Sequence, residues 1–326
     1  MKTASSKLPK RLFNHFVETG RSGIRRVFIW GLLSTLLFVM LFALKPTLLQ
    51  SIDFINYDFL LRHFPNNHAG SKVIIIDIDE RSLSRYGQWP WPRYRIAGLF
   101  DKIATLKPAV VGLDMFFAEP DRTSAARLLK ELGDAYKLNI TLDRIPDELS
   151  DNDRILAESL ARGPFVLGNK FHFNRIEKSS EQCILHLCKV SLMQNMGERE
   201  GTMGLPEGTG VLCNLKILSQ AVDASGFVNF SPDRDGMLRR LPMLIQYNGN
   251  VYAGLGLAAV LKLRETNNLI LQKDGDALHA ISFKGATIPV DRTGRLLIKF
   301  RGPKKSYDYV SALDIMDGKV SSQRME

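Results

Sequence analysis

The chain has 326 residues, 45% hydrophobic and 24% charged, with 44 Lys and Arg against 34 Asp and Glu for a formal net charge of +10. The surplus is uneven: residues 1–26 hold seven basic residues against one acid, so the basic balance mostly reports that segment. It is therefore no sign of nucleic-acid binding, which gathers basic residues on one face of a folded module.

In residues 1–26, Lys2, Lys7, Lys10, Arg11, Arg21, Arg25 and Arg26 stand against the single acid Glu18, and eighteen uncharged residues follow over 27–44. As a helix those eighteen would span ~27 Å, enough for a hydrocarbon core. A secretory signal would have a shorter apolar region and a small-residue cleavage site, which Ala43-Leu44-Lys45-Pro46 does not supply. The pattern predicts a cytoplasmic basic tail over 1–26, a transmembrane helix over 27–44, and an extracytoplasmic remainder by the positive-inside rule. Leu48, Ile52, Ile55 and Phe59 then recur at helical spacing, which predicts a juxtamembrane stalk within 45–70 that ends at Pro65-Asn66-Asn67.

A folded domain over 71–326 is expected next. Its first elements are a strand over 73–78, a helix over 95–106 stopped by Lys107-Pro108, and a strand over 109–113. Together they form a β-α-β unit whose crossover makes the strands parallel. Helices over 124–132 and 153–161 and a strand over 165–167 follow. The polar, glycine-rich stretch 174–210 reads as an irregular excursion. Strands over 227–230 and 238–246 flank the turn Ser231-Pro232-Asp233-Arg234-Asp235-Gly236. A helix over 251–264 precedes short strands over 281–283, 287–290 and 295–300. The fold class is α/β with a mixed sheet. Cys183, Cys188 and Cys213 imply one disulfide and one spare thiol in an oxidising compartment, the pairing left open. The spacing between Cys183 and Cys188, with His172 and His186 near, is too loose to predict zinc.

Candidate chemistry concentrates in VIIIDIDERSLSRYGQWPWPR, residues 73–93. Four β-branched residues run into Asp77, Asp79 and Glu80 at a strand end, where open α/β sheets place ligand crevices. Trp89-Pro90 and Trp91-Pro92 form a stiff aromatic arm closed by Arg93, and Asp114 and Glu119 follow the second strand. Asp77, Asp79 and Asp114 are expected to converge at one sheet edge, where they would repel unless a cation, an arginine or a ligand sat among them. A capping and ion-pairing role, with Arg81, Arg85 or Arg93 as partner, stands level with a ligand role. The tryptophans are more often a packed lid over a sheet edge than a binding platform.

Four motifs in series, IDERSLSRYGQWPWPR, VGLDMFFAEPDR, GFVNFSPDRDGMLRR and LLIKFRGP followed by Ser311-Ala312, resemble the type-two CHASE domain over roughly 50–326. That is the extracytoplasmic sensing module of bacterial membrane signalling proteins. The resemblance implies a sensor in the inner membrane, without catalysis or cofactor in these residues. It would bind an unknown small ligand or cation and act on a cytoplasmic output: an adenylate or guanylate cyclase first, else a histidine kinase, diguanylate cyclase or protein kinase. A homodimer through the stalk and membrane helices, and a chain that stops inside its own sensor domain, are further expectations. The candidate ligand residues are Asp77, Asp79, Glu80, Trp89, Trp91, Arg93, Asp114 and Glu119. Two alternatives come from other classes. One is a metal-dependent phosphohydrolase using Asp77 and Asp79, although Glu80-Arg81 replaces the small pair such sites place next. The other is an envelope scaffold that senses nothing.

Overall fold

A computed structural model describes residues 10–44, 47–64, 73–137, 151–173, 183–193, 203–275, 277–303 and 305–321. The chain divides into two compact units, Met1–Pro65 and Asn66–Glu326.

In the first unit, helix α1 runs over Lys10–Leu44, and its 20-residue stretch Arg25–Leu44 is long and apolar enough to cross a membrane. Phe28, Trp30, Phe38 and Phe42 are exposed along it, as suits a helix whose solvent is lipid. The hydroxyls of Ser34 and Thr35 both donate to the Gly31 carbonyl at 2.9 Å, so neither requires water. Helix α2, Thr47–His63, occupies the expected stalk, with Ile52, Ile55 and Phe59 exposed.

The second unit opens with β1 (Ile74–Asp77), α3 (Glu80–Tyr86), α4 (Arg93–Thr105) and β2 (Val111–Leu113). Helices α5 (Ala125–Tyr136) and α6 (Asn152–Ala161) lead to the long strand β3 (Phe165–His172). Then come β4 (Lys189–Met193), β5 (Gly210–Leu212), α7 (Lys216–Gln220) and β6 (Ser225–Phe227). Strand β7 (Arg240–Pro242) precedes β8 (Leu244–Tyr247), β9 (Asn250–Ala253) and α8 (Leu255–Leu263). The chain continues through β10 (Asn268–Asp274), β11 (Ala277–Phe283), β12 (Ala286–Pro289), β13 (Arg295–Leu297), β14 (Asp308–Ser311) and α9 (Ala312–Met316).

The α/β class with mixed sheets holds. The first half of β3 lies between β2 and β6, parallel to both, and its second half pairs with β5 antiparallel. The hydrogen-bonded β-α-β unit is thus the one from β2 through α6 to β3. Strand β1 pairs instead with β14, in parallel, more than 200 residues later in the chain. Elsewhere β10 pairs with β11 antiparallel and with β4 in parallel, and β7 pairs with β13.

Three cores surround this frame. Ile96, Leu99, Phe100 and Ile103 form one stripe of α4 and pack with Leu156 and Leu160 of α6 and with Phe165 and Leu167 of β3. The Phe100 and Phe165 rings stack at 4.9 Å. On the opposite face Val166 joins Leu257, Ala258 and Leu261 of α8 and Leu269, Leu271 and Ile281. A third core gathers Phe171, Phe227, Ile245, Tyr247 and Tyr252, with the disulfide Cys183–Cys213 against it.

Two further segments depart from expectation. The excursion 174–210 contains β4 and the start of β5, because Val190 turns into the second core while residues on either side stay exposed, an alternation too short to stand out among polar neighbours. Residues 174–182 and 194–202 lie outside the described residues. The helix expected over 251–264 is a strand and then a helix. Asn248 and Gly249 both take positive φ, 49° and 75°, and the Tyr247–Asn250 register closes a two-residue hairpin across them. Asn-Gly is the strongest short signal for that turn.

Helix α8 lies directly on β6, since a Cβ at Gly226 would come within 2.6 Å of Leu255 Cα. Gly256, one residue on in the same helix, meets nothing within 4 Å. Gly226→Ala should therefore cost about 1–3 kcal/mol, whereas Gly256→Ala should be neutral or add up to about 1 kcal/mol through helix propensity. Denaturant unfolding of the two variants side by side checks this, and equal effects would contradict the packing.

Candidate functional site

The eight sequence candidates separate into a capping lock, a buried polar network and exposed residues. Asp79 is the N-cap of α3. Its Oδ1 accepts the Ser82 backbone N–H at 2.9 Å, the Ser82 hydroxyl at 2.6 Å and the Ser311 hydroxyl at 2.9 Å. Burial alone would raise its pKa, but the Ser82 and Ser311 hydrogen bonds hold it below the ordinary carboxylate value. Ser82 Oγ also accepts the Leu313 N–H at 3.1 Å, and Arg81 grips Asp314 through two hydrogen bonds of 3.1 and 3.0 Å. The acidic motif thus ties α3 to the end of β14 and the start of α9.

Trp91 is core. It is 1% exposed, its indole N–H donates to the Gly87 carbonyl at 2.8 Å, and the Tyr86 ring meets it edge-on. Trp89 stays 41% exposed beside it.

Arg93 opens α4 and turns toward Asp121 and Asp153. Asp121 accepts the Arg93 backbone N–H at 2.8 Å, the Asn152 amide at 2.9 Å, and the Thr123 N–H and hydroxyl at 2.9 Å each. Asp153, in the first turn of α6, accepts the Asp121 N–H at 3.0 Å, and its other oxygen faces Arg93 Nε across 3.6 Å. The guanidinium lies over the Phe117 ring at 4.4 Å and donates to the Glu119 carbonyl at 3.3 Å. Burial would raise the pKa of Asp121, but its hydrogen bonds from Arg93, Thr123 and Asn152 lower it. At Asp153 burial prevails and the pKa is raised, with the Asp121 N–H and Arg93 opposing.

Asp77, Glu80, Asp114 and Glu119 are exposed, Glu119 serving the network through its carbonyl. Among the described residues, no group of three or more His, Cys, Asp or Glu could hold a metal ion. The convergence of Asp77, Asp79 and Asp114 is thus not formed as a cation cage, and Arg93 bridges neither Asp77 nor Asp114 but pairs with Asp153. Asp79, committed to a cap, is poorly placed to act as the acid of a phosphohydrolase.

A second polar concentration escaped the sequence reading. A groove of about 810 Å³ opens between the segment 185–188, residues 223–225 and α8 with the turn after it. His186 Nε2 lies 3.0 Å from the Val222 carbonyl, and Nδ1 lies 3.0 Å from Ser225 Oγ. A carbonyl only accepts, so Nε2 carries a proton, while the serine hydroxyl can either donate to Nδ1 or accept from it. Burial lowers its pKa, with the Val222 hydrogen bond opposing. Lys262 of α8 pairs with Asp223 across the rim. Cys188 is buried in the groove floor, its pKa pushed up to about 11, which keeps it a thiol without nucleophilic character. The sequence hint was Lys262, a charge on an otherwise apolar helix.

The family model of the CHASE2 domain matches residues 33–326. The chain belongs to this family. The match begins inside α1, so it takes in part of the apolar helix as well as the sensor unit. CHASE2 is an extracytoplasmic sensor domain and not a catalytic one. No curated protein and no solved structure gives a significant match. Within this CHASE2 domain, the motif residues Asp79, Trp91, Arg93 and Asp121 act as structural locks. Asn229 and Arg239 do the same in the next motif: Asn229 exchanges two hydrogen bonds of 2.7 Å with the Phe171 backbone, and Arg239 meets Asp235 at 2.9 and 2.8 Å.

Arg93→Met should strand the Asp153 carboxylate in the core and cost about 3–5 kcal/mol near neutral pH. The folded pKa of Asp153 is raised, so the native state takes up its proton before the unfolded chain does. The deficit should therefore shrink as pH falls through that raised value. Asp121 has the opposite sign: its lowered pKa gives stability that is present above the unfolded value and lost as pH falls through the folded one. Denaturant unfolding of wild type and variant at a series of pH values from about 7 down through the carboxylate range to about 3 tests both. A deficit that does not narrow would count against the buried ion pair.

Proposed function

We propose that this chain is the extracytoplasmic input module of a bacterial transmembrane receptor. In this reading Arg25–Leu44 anchors it in the inner membrane, residues 1–26 lie in the cytoplasm and 46–326 lie outside. It regulates a cytoplasmic output, a nucleotide cyclase in first place and otherwise a histidine kinase, diguanylate cyclase or protein kinase. The observation that carries this is the CHASE2 match running from within the apolar helix through the sensor unit. The seven-to-one charge bias of residues 1–26 supports the orientation. The Cys183–Cys213 disulfide supports an oxidising compartment. A second copy pairs along α2, where Ile52, Ile55 and Phe59 make an exposed apolar stripe at helical spacing. A small ligand then moves the receptor only by its difference in affinity for two states.

A reporter enzyme that works only outside the cytoplasm, fused after Pro65, should be active, and one that works only in the cytoplasm should be silent at the same place. The reverse pattern would overturn this topology and the receptor reading with it.

A further inference from the structure

The groove beside α8 joins an apolar floor to a mouth of mixed charge. Ala253, Ala258 and Leu261 line the floor, and Asp223, Lys262 and Glu265 stand at the opening. Lys262 is 18% exposed and Asp223 76% exposed, so one partner of their ion pair is mostly in water. Such a pair contributes little and is readily exchanged. Lys262 is therefore available to a ligand carboxylate at small cost. Glu265 lies three residues further on in the turn just past the end of α8, and it lines the same groove. Its backbone is held at φ 49°, a conformation that residues with a Cβ rarely adopt, and among the described residues no cation pairs with it. His186 has both ring nitrogens engaged by Ser225 and the Val222 carbonyl, and its burial favours the uncharged ring. The mouth thus offers one cation and two carboxylates above an apolar floor.

We infer that this groove binds a small zwitterion of the amino-acid class, a free amino acid or short peptide. Its carboxylate replaces Asp223 on Lys262, its ammonium meets Glu265 and the released Asp223, and its side chain rests on Ala253, Ala258 and Leu261. The volume, about 810 Å³, exceeds what one amino acid fills and lies within the range of ordinary ligand pockets. This deepens the receptor reading and rests on it for its biological meaning, though not for its chemistry.

The test is calorimetric titration of the purified full chain in lipid nanodiscs. The probes are leucine, a dileucine dipeptide, and that dipeptide with its amino terminus acetylated or its carboxyl terminus amidated. Saturable binding of leucine or the free dipeptide is expected, weakened at least about tenfold by either cap. Lys262→Met and Glu265→Gln should each weaken it to a similar extent. Lys262→Arg, which keeps the charge, should retain binding and so exclude misfolding as the cause. Absence of saturable binding by both free probes, or binding indifferent to the caps and to both substitutions, would overturn the site. The reporter fusions separate this from the receptor reading: chains correctly oriented but without binding lose only the groove, and chains that bind but are inverted keep the groove and lose the receptor.

Discussion

Strand β3 is covered on both faces, and the sensor unit is arranged around that fact. Phe165 and Leu167 enter one core, Val166 the core opposite, and Phe171 the third. A strand so placed has little water for its amides and carbonyls, so protein must supply most of their partners. It does so by changing partners along its length, from β2 and β6 in parallel to β5 in antiparallel. Asparagines serve where one partner gives way to another. Asn214 accepts the Phe117 N–H at 2.6 Å and donates to the Gly168 carbonyl at 2.7 Å, and Asn229 brackets Phe171. These side chains stand in for strand backbone at places no strand can reach.

The same requirement explains why charged residues in the motifs became locks. A buried carboxylate without a partner destabilises by several kcal/mol, whereas a surface pair contributes about 1 kcal/mol or less. Asp121 and Asp153, 8% and 3% exposed, therefore have to be surrounded by donors, and the donors come from α4, α6 and the loop between β2 and α5. A network of this kind joins elements far apart in the chain in one geometry only. It binds parts of the protein to each other, and little capacity remains for a ligand.

What could be read in the sequence follows the range of each signal. The apolar helix, the stripe of α4 and the strands β1 to β3 announce themselves within a single window of residues. The partner of β1 does not, because β14 lies at the other end of the chain and nothing local to Ile74–Asp77 names it. The partners of the candidate residues were hidden for the same reason. Asp77, Asp79 and Asp114 are close in sequence to strand ends, yet Asp79 is taken by Ser82 and Ser311, and Arg93 by residues 121 and 153. Asn248-Gly249 was a local signal that outranked the helical pattern after it. The groove was illegible because Leu185, Asp223, Lys262 and Glu265 come from three separate segments and share no motif.

A groove of that composition matters to a sensor only if occupancy changes something beyond its own walls. Helix α8 has no slack on β6, as the Gly226 contact shows, so a pull on Lys262 cannot be absorbed between the helix and the strand. In the proposed binding mode it would pass to β6, which is bonded to β3. In that binding mode the exchange at Lys262 has a second effect, for Asp223 leaves Lys262 for the ligand ammonium. That residue lies on the short segment between Val222 and Ser225, both of which hold the His186 ring. A ligand lacking the carboxylate would fill the floor and leave the Lys262–Asp223 pair intact. It would bind the two arrangements alike and shift nothing. In the proposed binding mode, the ion pair at the rim, weak as it is, is what would let the groove distinguish occupancy from signal.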